Sequence, residues 1–145
     1  MRIDRLTTKF QQALADAQSL ALAQDAGFIE PAHLLAALLA QPDGGTASLL
    51  QRAGANVAAL KKGVDEAVAA LPKVEGQGGE INVSRDLGNL LNLADKEASK
   101  RGDQFVASEL FVLAAARDKG ETGRLFARHG VAAGALEKAI EAVRG

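Results

Sequence analysis

Few residues in this chain are placed to make or break bonds. Its two histidines, His33 and His129, read as polar residues near helix ends rather than as metal ligands. Cysteine is absent, so disulfides and thiol chemistry are excluded. No G-x-x-x-x-G-K-[ST] run offers a phosphate-binding loop. No serine stands in a nucleophile elbow or an S-x-x-K setting. Carboxylates such as Asp16, Asp65, Glu66 and Glu141 fall on solvated faces. The side chains therefore favour a binding module over a catalyst.

Recognition rests on apolar and polar residues whose places are set by an internal repeat. Laying Phe28 on Phe105 also lays Thr7 on Ser84, Phe10 on Leu87, Leu14 on Leu91 and Ala21 on Ala98. After one deletion near Ser108, the same register lays Leu34 on Leu110, Gly44 on Gly120, Leu49 on Leu125 and Leu60 on Leu136. One position breaks the symmetry: Leu93 aligns with Asp16 and lies well off the buried stripe of its helix. It is either a contact between the repeats or the lip of an exposed apolar groove. Leu14, Leu91 and Leu110 read as core residues whose edges such a groove would borrow. Leu22 is a second candidate for exposure. Asp103 and Glu109 bracket the start of a helix, where carboxylates suit its positive end. They act there as capping groups or as a polar rim to such a groove.

Eight helices must hold these residues, so the fold class is all-α, a pseudo-two-fold duplication of a four-helix unit. A helix from about Thr7 to Gln24 carries Leu6, Phe10, Ala13, Ala17, Leu20, Ala21 and Gln24 on one stripe. Glu30-Pro31 opens a second, because proline at the first helical position sacrifices no intrahelical hydrogen bond. A third spans about Thr46 to Ala53 with Thr46 as its cap. Asn56 caps a fourth, whose buried side is Val57, Leu60, Val64, Val68 and Leu71. In the second repeat Ser84 caps a helix reaching about Lys100, followed by helices over Ser108 to Arg117, Thr122 to His129 and Ala133 to Arg144. Leu136, Ile140 and Val143 of the last point inward, and Ala132 replaces the cap residue. The units span residues 6–71 and 84–145 of one domain, 1–145. The Pro72–Val83 segment between them is rich in glycine and is expected to be among the most mobile.

Composition narrows the partners. A net charge of −1 leaves no basic surplus for nucleic acid or an anionic membrane. No signal peptide or membrane span is visible, and the absence of cysteine suits a reducing, cytoplasmic setting. Tryptophan and tyrosine are absent, so the core must be built from alanine, leucine and valine.

Several runs carry a family resemblance: Met1-Arg2 with Asp4 to Thr7 and Lys9-Phe10-Gln11, Ala13 to Ala21, Phe28 to Pro31 with His33-Leu34, Leu71-Pro72 with Val74 to Gly76, and Arg101 to Asp103 with Phe105-Val106 and Ser108 to Ala114. Together they resemble, over the whole chain, the N-terminal Clp repeat domain of the ClpB disaggregase family. The resemblance implies a domain that catches unfolded or aggregated polypeptide, with no cofactor of its own. It implies a longer protein with two AAA+ ATPase modules using ATP and Mg and a coiled-coil insertion, forming a homohexamer that works with the DnaK system. The polar positions implicated in that family match Thr7, Ser84, Asp103 and Glu109. Gln12 departs from a position often apolar in relatives, which would make one groove wall more polar. A second expectation is an adaptor-docking module of a protease-linked Clp unfoldase, which would prefer one folded partner.

Overall fold

The computed structural model describes residues 2–75 and 79–145. Gly76 and Gly78, on which the expected mobility of the connector largely rests, lie outside the described residues. Among the described residues a 3-10 turn, Ile3–Arg5, precedes eight helices. They are α1 (Thr8–Ala23), α2 (Pro31–Leu39), α3 (Gly45–Arg52), α4 (Val57–Ala69), α5 (Arg85–Arg101), α6 (Ser108–Arg117), α7 (Glu121–Arg128) and α8 (Ala133–Arg144).

Local chemistry sets most of these boundaries. The Thr7 hydroxyl accepts from the Phe10 amide at 3.3 Å and that of Ser84 from the Leu87 amide at 3.1 Å. Each satisfies an amide that the helix itself leaves without a partner. Asn56 does the same for Ala59 at 3.1 Å. Gly102 ends α5 in the left-handed conformation, with φ 76°. Ala132 forms no side-chain cap at α8. Thr46 is not a cap: α3 begins at Gly45 behind a left-handed Gly44, φ 66°, which leaves Thr46 inside the first turn and buried.

The two repeats interlock rather than merely abut. α1 packs on α2 and α5 on α6 within each repeat, whereas α3 packs on α8 and α4 on α7 across them. Short backbone pairings at the repeat entrances obey the same pseudo-symmetry. Leu6 bridges Val106, and Val83, the mate of Leu6, bridges Ile29. The Thr7 amide donates to the Val106 carbonyl at 3.0 Å, and the Ser84 amide to the Ile29 carbonyl at 2.9 Å. Each repeat thus pins its first helix to the loop between the first two helices of the other. The connector is anchored at both ends: the Val74 amide donates to the Asp25 carbonyl at 2.8 Å, and Ile81 is buried.

The core is continuous across both repeats. Phe10 of α1 and Phe111 of α6 are both fully buried, with ring centroids 6.1 Å apart. Leu22 is half-buried against this core. Val143 is not inward as the periodicity predicts; it is 59% exposed, and Ala139 is buried instead. Residues 141–145 are all exposed, so the last turn of α8 runs beyond the buried layer. Phe28 and Phe105, the pair that sets the repeat register, both stay half-exposed in matching loops.

Candidate functional site

α5 carries the residue that breaks the repeat symmetry. Leu87, Leu90, Leu91, Ala94 and Ala98 form its buried face, and Leu93 stands off that face at 50% exposure. At that exposure it is not buried between the repeats, although α2 and α4 of the first repeat face it across a cleft. In the first repeat the mate Asp16 is likewise exposed and accepts a hydrogen bond from the Gln12 amide nitrogen at 3.1 Å.

Two clefts adjoin at Leu93. The larger, about 630 Å³, lies between α5, the start of α2, the end of α4, and α7 with the loop before it. The smaller, about 290 Å³, lies between α5 and α6. Leu93 and Asp118 line both, so they form the ridge between them. Leu90 and Leu125 contribute to the larger cleft and Ala114 to the smaller.

The Asp118 side of the ridge is locally rigid. Its carboxylate accepts from the amides of Gly120 at 3.1 Å and Gly123 at 3.4 Å. Its carbonyl lies where a Cβ on Gly123 would sit, 1.6 Å away. The loop can close over α7 in this way only because residue 123 has no side chain. The Asp118-x-Gly120-x-x-Gly123 spacing is a turn signal in the sequence, but it carries no hint that the loop would border a cleft.

The other candidate residues are spread over separate places. Leu110 is fully buried yet lines the floor of the smaller cleft; Leu91 is nearly buried and lines neither cleft, and Leu14 is half-buried on α1. Thr7 and Ser84 are occupied as helix caps, and Ser84 is 8% exposed. Asp103 and Glu109 come together, but at Arg144 rather than at Leu93. Arg144 Nη2 lies 2.9 Å from Asp103 Oδ2, and its Nε donates to Glu109 Oε2 at 3.2 Å. Partial burial alone would lower the Arg144 pKa; the Asp103 hydrogen bond and the Glu109 charge outweigh it, and the pKa is raised. No local pattern marks Arg144, because this contact joins distant segments.

Beside the smaller cleft, Glu97 receives hydrogen bonds from Arg101 Nε at 2.8 Å and Arg117 Nη1 at 3.0 Å. Arg117 also reaches Glu137 at 2.9 Å, tying α5, α6 and α8 together. Burial pushes the Glu97 carboxyl up, but the two guanidinium partners hold it below the ordinary glutamate range.

Neither histidine joins a ligand set. His33 is fully buried, and its Nδ1 accepts from the Glu30 amide at 2.9 Å at the start of α2. His129 lies where α7 meets Gly63 of α4, its Nε2 2.5 Å from where a Cβ on that glycine would be. Among the described residues no group of three potential ligands is placed to hold a metal ion. Nor is any helix among them long and apolar enough to cross a membrane.

The sequence and the fold both have relatives. Over the whole chain it is 47% identical to "Chaperone protein ClpB" of Pseudomonas putida and 46% identical to that of Vibrio cholerae. It spans 17% of the length of each. The structure matches the Hsp104 N-terminal domain of Candida albicans with a TM-score of 0.85 and 24% identity, covering 97% of this chain and 91% of that one. It matches a chain of the complex of the ClpV N-domain with a VipB peptide with a TM-score of 0.73 and 25% identity, covering 95% and 86%. The Clp repeat (R) N-terminal domain model matches residues 5–141, and the chain belongs to that family.

Proposed function

We propose that this domain receives polypeptide for a ClpB-type disaggregase, holding exposed apolar segments of non-native proteins in the clefts beside Leu93. The observation that carries this reading is the half-exposed Leu93 on a ridge between two clefts, where the first repeat has a charge instead. A large apolar side chain kept out of the core beside a concavity suits a partner that brings its own apolar surface. Burying roughly 300–600 Å² of such surface at about 25 cal/mol per Å² gives about 8–15 kcal/mol. Association costs of about 4–15 kcal/mol offset most of it. Affinity near micromolar or weaker suits a step in which the segment is caught and then passed on. ATP and Mg, the hexamer, the DnaK system and a cytoplasmic setting belong to the longer protein that this reading entails.

Leu93→Asp tests it. The substitution copies Asp16 on an exposed helix face, so stability, read from the denaturation midpoint, should change by no more than about 0.5 kcal/mol. Binding of a permanently unfolded, casein-like chain should drop at least tenfold, because the new carboxylate would have to be desolvated in an apolar contact. Unchanged binding with an unchanged midpoint would make Leu93 a bystander and remove the reading.

The adaptor-docking alternative draws support from the ClpV N-domain, a relative of this fold found in complex with a peptide of one partner, VipB. A pull-down offering folded and unfolded partners together separates the two: an adaptor dock retains one folded protein, a substrate receiver many unfolded ones.

A further inference from the structure

The two clefts differ in charge. Glu30, Asp86, Asp118 and Glu121 border the larger one against a single guanidinium, Arg128. Asp118 is shared with the smaller one and Glu121 is paired with Arg124, so Glu30 and Asp86 make the difference; around the smaller one the cations are Lys96, Lys100 and Arg117. Glu97 there is already taken up by Arg101 and Arg117, whereas Lys96 and Lys100 are exposed with no ion-pair partner among the described residues. Asp86 is likewise exposed, with no ion-pair partner among the described residues.

The polarity runs along one helix face. Asp86, Leu93 and Lys100 follow at two-turn intervals on α5, with Lys96 beside them. Leu93 is midway, and the stretch covers roughly 20 Å at 1.5 Å per residue. That is the reach of about six or seven residues of extended chain.

Compensation of the helix dipole would by itself place acids at the start of α5 and bases at its end. It does not account for the pattern, because the same fold shows that it is not needed. α1, the mate of α5, has no acidic residue in its first turn and no basic residue in its last. The residues aligned with Asp86, Leu93, Lys96 and Lys100 are Lys9, Asp16, Ser19 and Ala23. Glu30, moreover, brings negative charge to the larger cleft alone from outside α5.

We propose that the clefts select polypeptide segments whose apolar centre is flanked by basic residues on one side and acidic residues on the other. The basic flank lies toward Asp86 and the larger cleft, and the acidic flank toward Lys96 and Lys100. This rests on the reading of the Leu93 clefts as a polypeptide site. It adds that the charge pattern of a segment, beyond its apolarity, decides how well it is held.

Four labelled heptapeptides with one Phe-Leu-Phe centre test it: two lysines before and two glutamates after, lysines on both sides, glutamates on both sides, and serines on both sides. At low salt the mixed peptide should bind this chain about three- to tenfold tighter than either uniformly charged one, with the advantage lost near 0.5 M salt. Lys96→Glu with Lys100→Glu should transfer the preference to the all-lysine peptide. If all four bind within twofold of one another and Leu93→Asp abolishes all of them, polypeptide capture stands and charge selection is overturned. If the serine peptide is not held, or Leu93→Asp changes nothing, the capture reading itself fails. Concentration-dependent dimerisation that Leu93→Asp removes would make a second copy of this chain the occupant and overturn the proposal.

Discussion

Arg144 holds Asp103 with both terminal nitrogens, Nη1 3.1 Å from Oδ1 and Nη2 2.9 Å from Oδ2. This two-point contact joins the end of α8 to the loop before α6, and Glu109 accepts from the same guanidinium. The side chains of Asp103 and Arg144 are only 22% and 30% exposed, so water screens the pair less than an open surface bridge. Asp103→Ala and Arg144→Ala should each lower stability by about 1 kcal/mol, and the double variant by little more than either. A double-mutant cycle on denaturation midpoints checks this; full additivity would mean that the two do not act as a unit.

Thr7 and Ser84 are matched caps, so their loss should be matched too. Thr7→Ala and Ser84→Ala should each cost about 1 kcal/mol through the freed amides of Phe10 and Leu87. Thr7→Ser should keep most of it. Below the unfolding transition neither alanine variant should change capture of an unfolded chain, since neither hydroxyl lines a Leu93 cleft. A binding defect in a fully folded Ser84→Ala chain would assign that hydroxyl a direct role.

Two glycines should respond in opposite directions. Gly123→Ala drives a Cβ onto the Asp118 carbonyl, which is backbone and cannot swing away, and should cost at least about 2–3 kcal/mol. Gly134 in α8 has open space where its Cβ would go and should gain about 0.5–1 kcal/mol as alanine. Thermal unfolding of the two variants side by side gives the sign of each.

Acid should weaken the fold in two windows. Burial lowers the His33 pKa below its ordinary 6.5, so the unfolded chain takes up that proton more readily than the folded one. This contribution is present above the ordinary value and is lost as pH falls through it towards the folded value. Glu97 adds a second loss below the ordinary glutamate range, as protonation breaks its guanidinium contacts. The urea midpoint should therefore fall between pH 7.5 and 5.5, and His33→Gln should flatten that part of the profile while leaving the lower limb. An unchanged slope in the variant would place the upper transition elsewhere.

Helix boundaries were legible because their causes are local. Proline at the start of α2, hydroxyl caps at Thr7 and Ser84, an amide cap at Asn56 and glycine after α5 act within a turn or two of their own position. Thr46 misleads for the same reason: a cap residue type was present, but the chain enters α3 through a left-handed Gly44 two residues earlier. Val143 misleads because periodicity says which side of α8 is apolar and not how far the neighbouring layer extends.

The sequence by itself determined the eight helical segments, the duplication and the Clp repeat family, since hydrophobic period, capping chemistry and repeat register are properties of consecutive residues. Only the tertiary structure decided what each repeat covers on the other. There α3 docks on α8 and α4 on α7, Leu93 stays half-open between two clefts, and Arg144 reaches Asp103 and Glu109. The physical reason is that exposure and ion pairing depend on surfaces brought together from distant parts of the chain, and a single helix wheel contains no information about its neighbour.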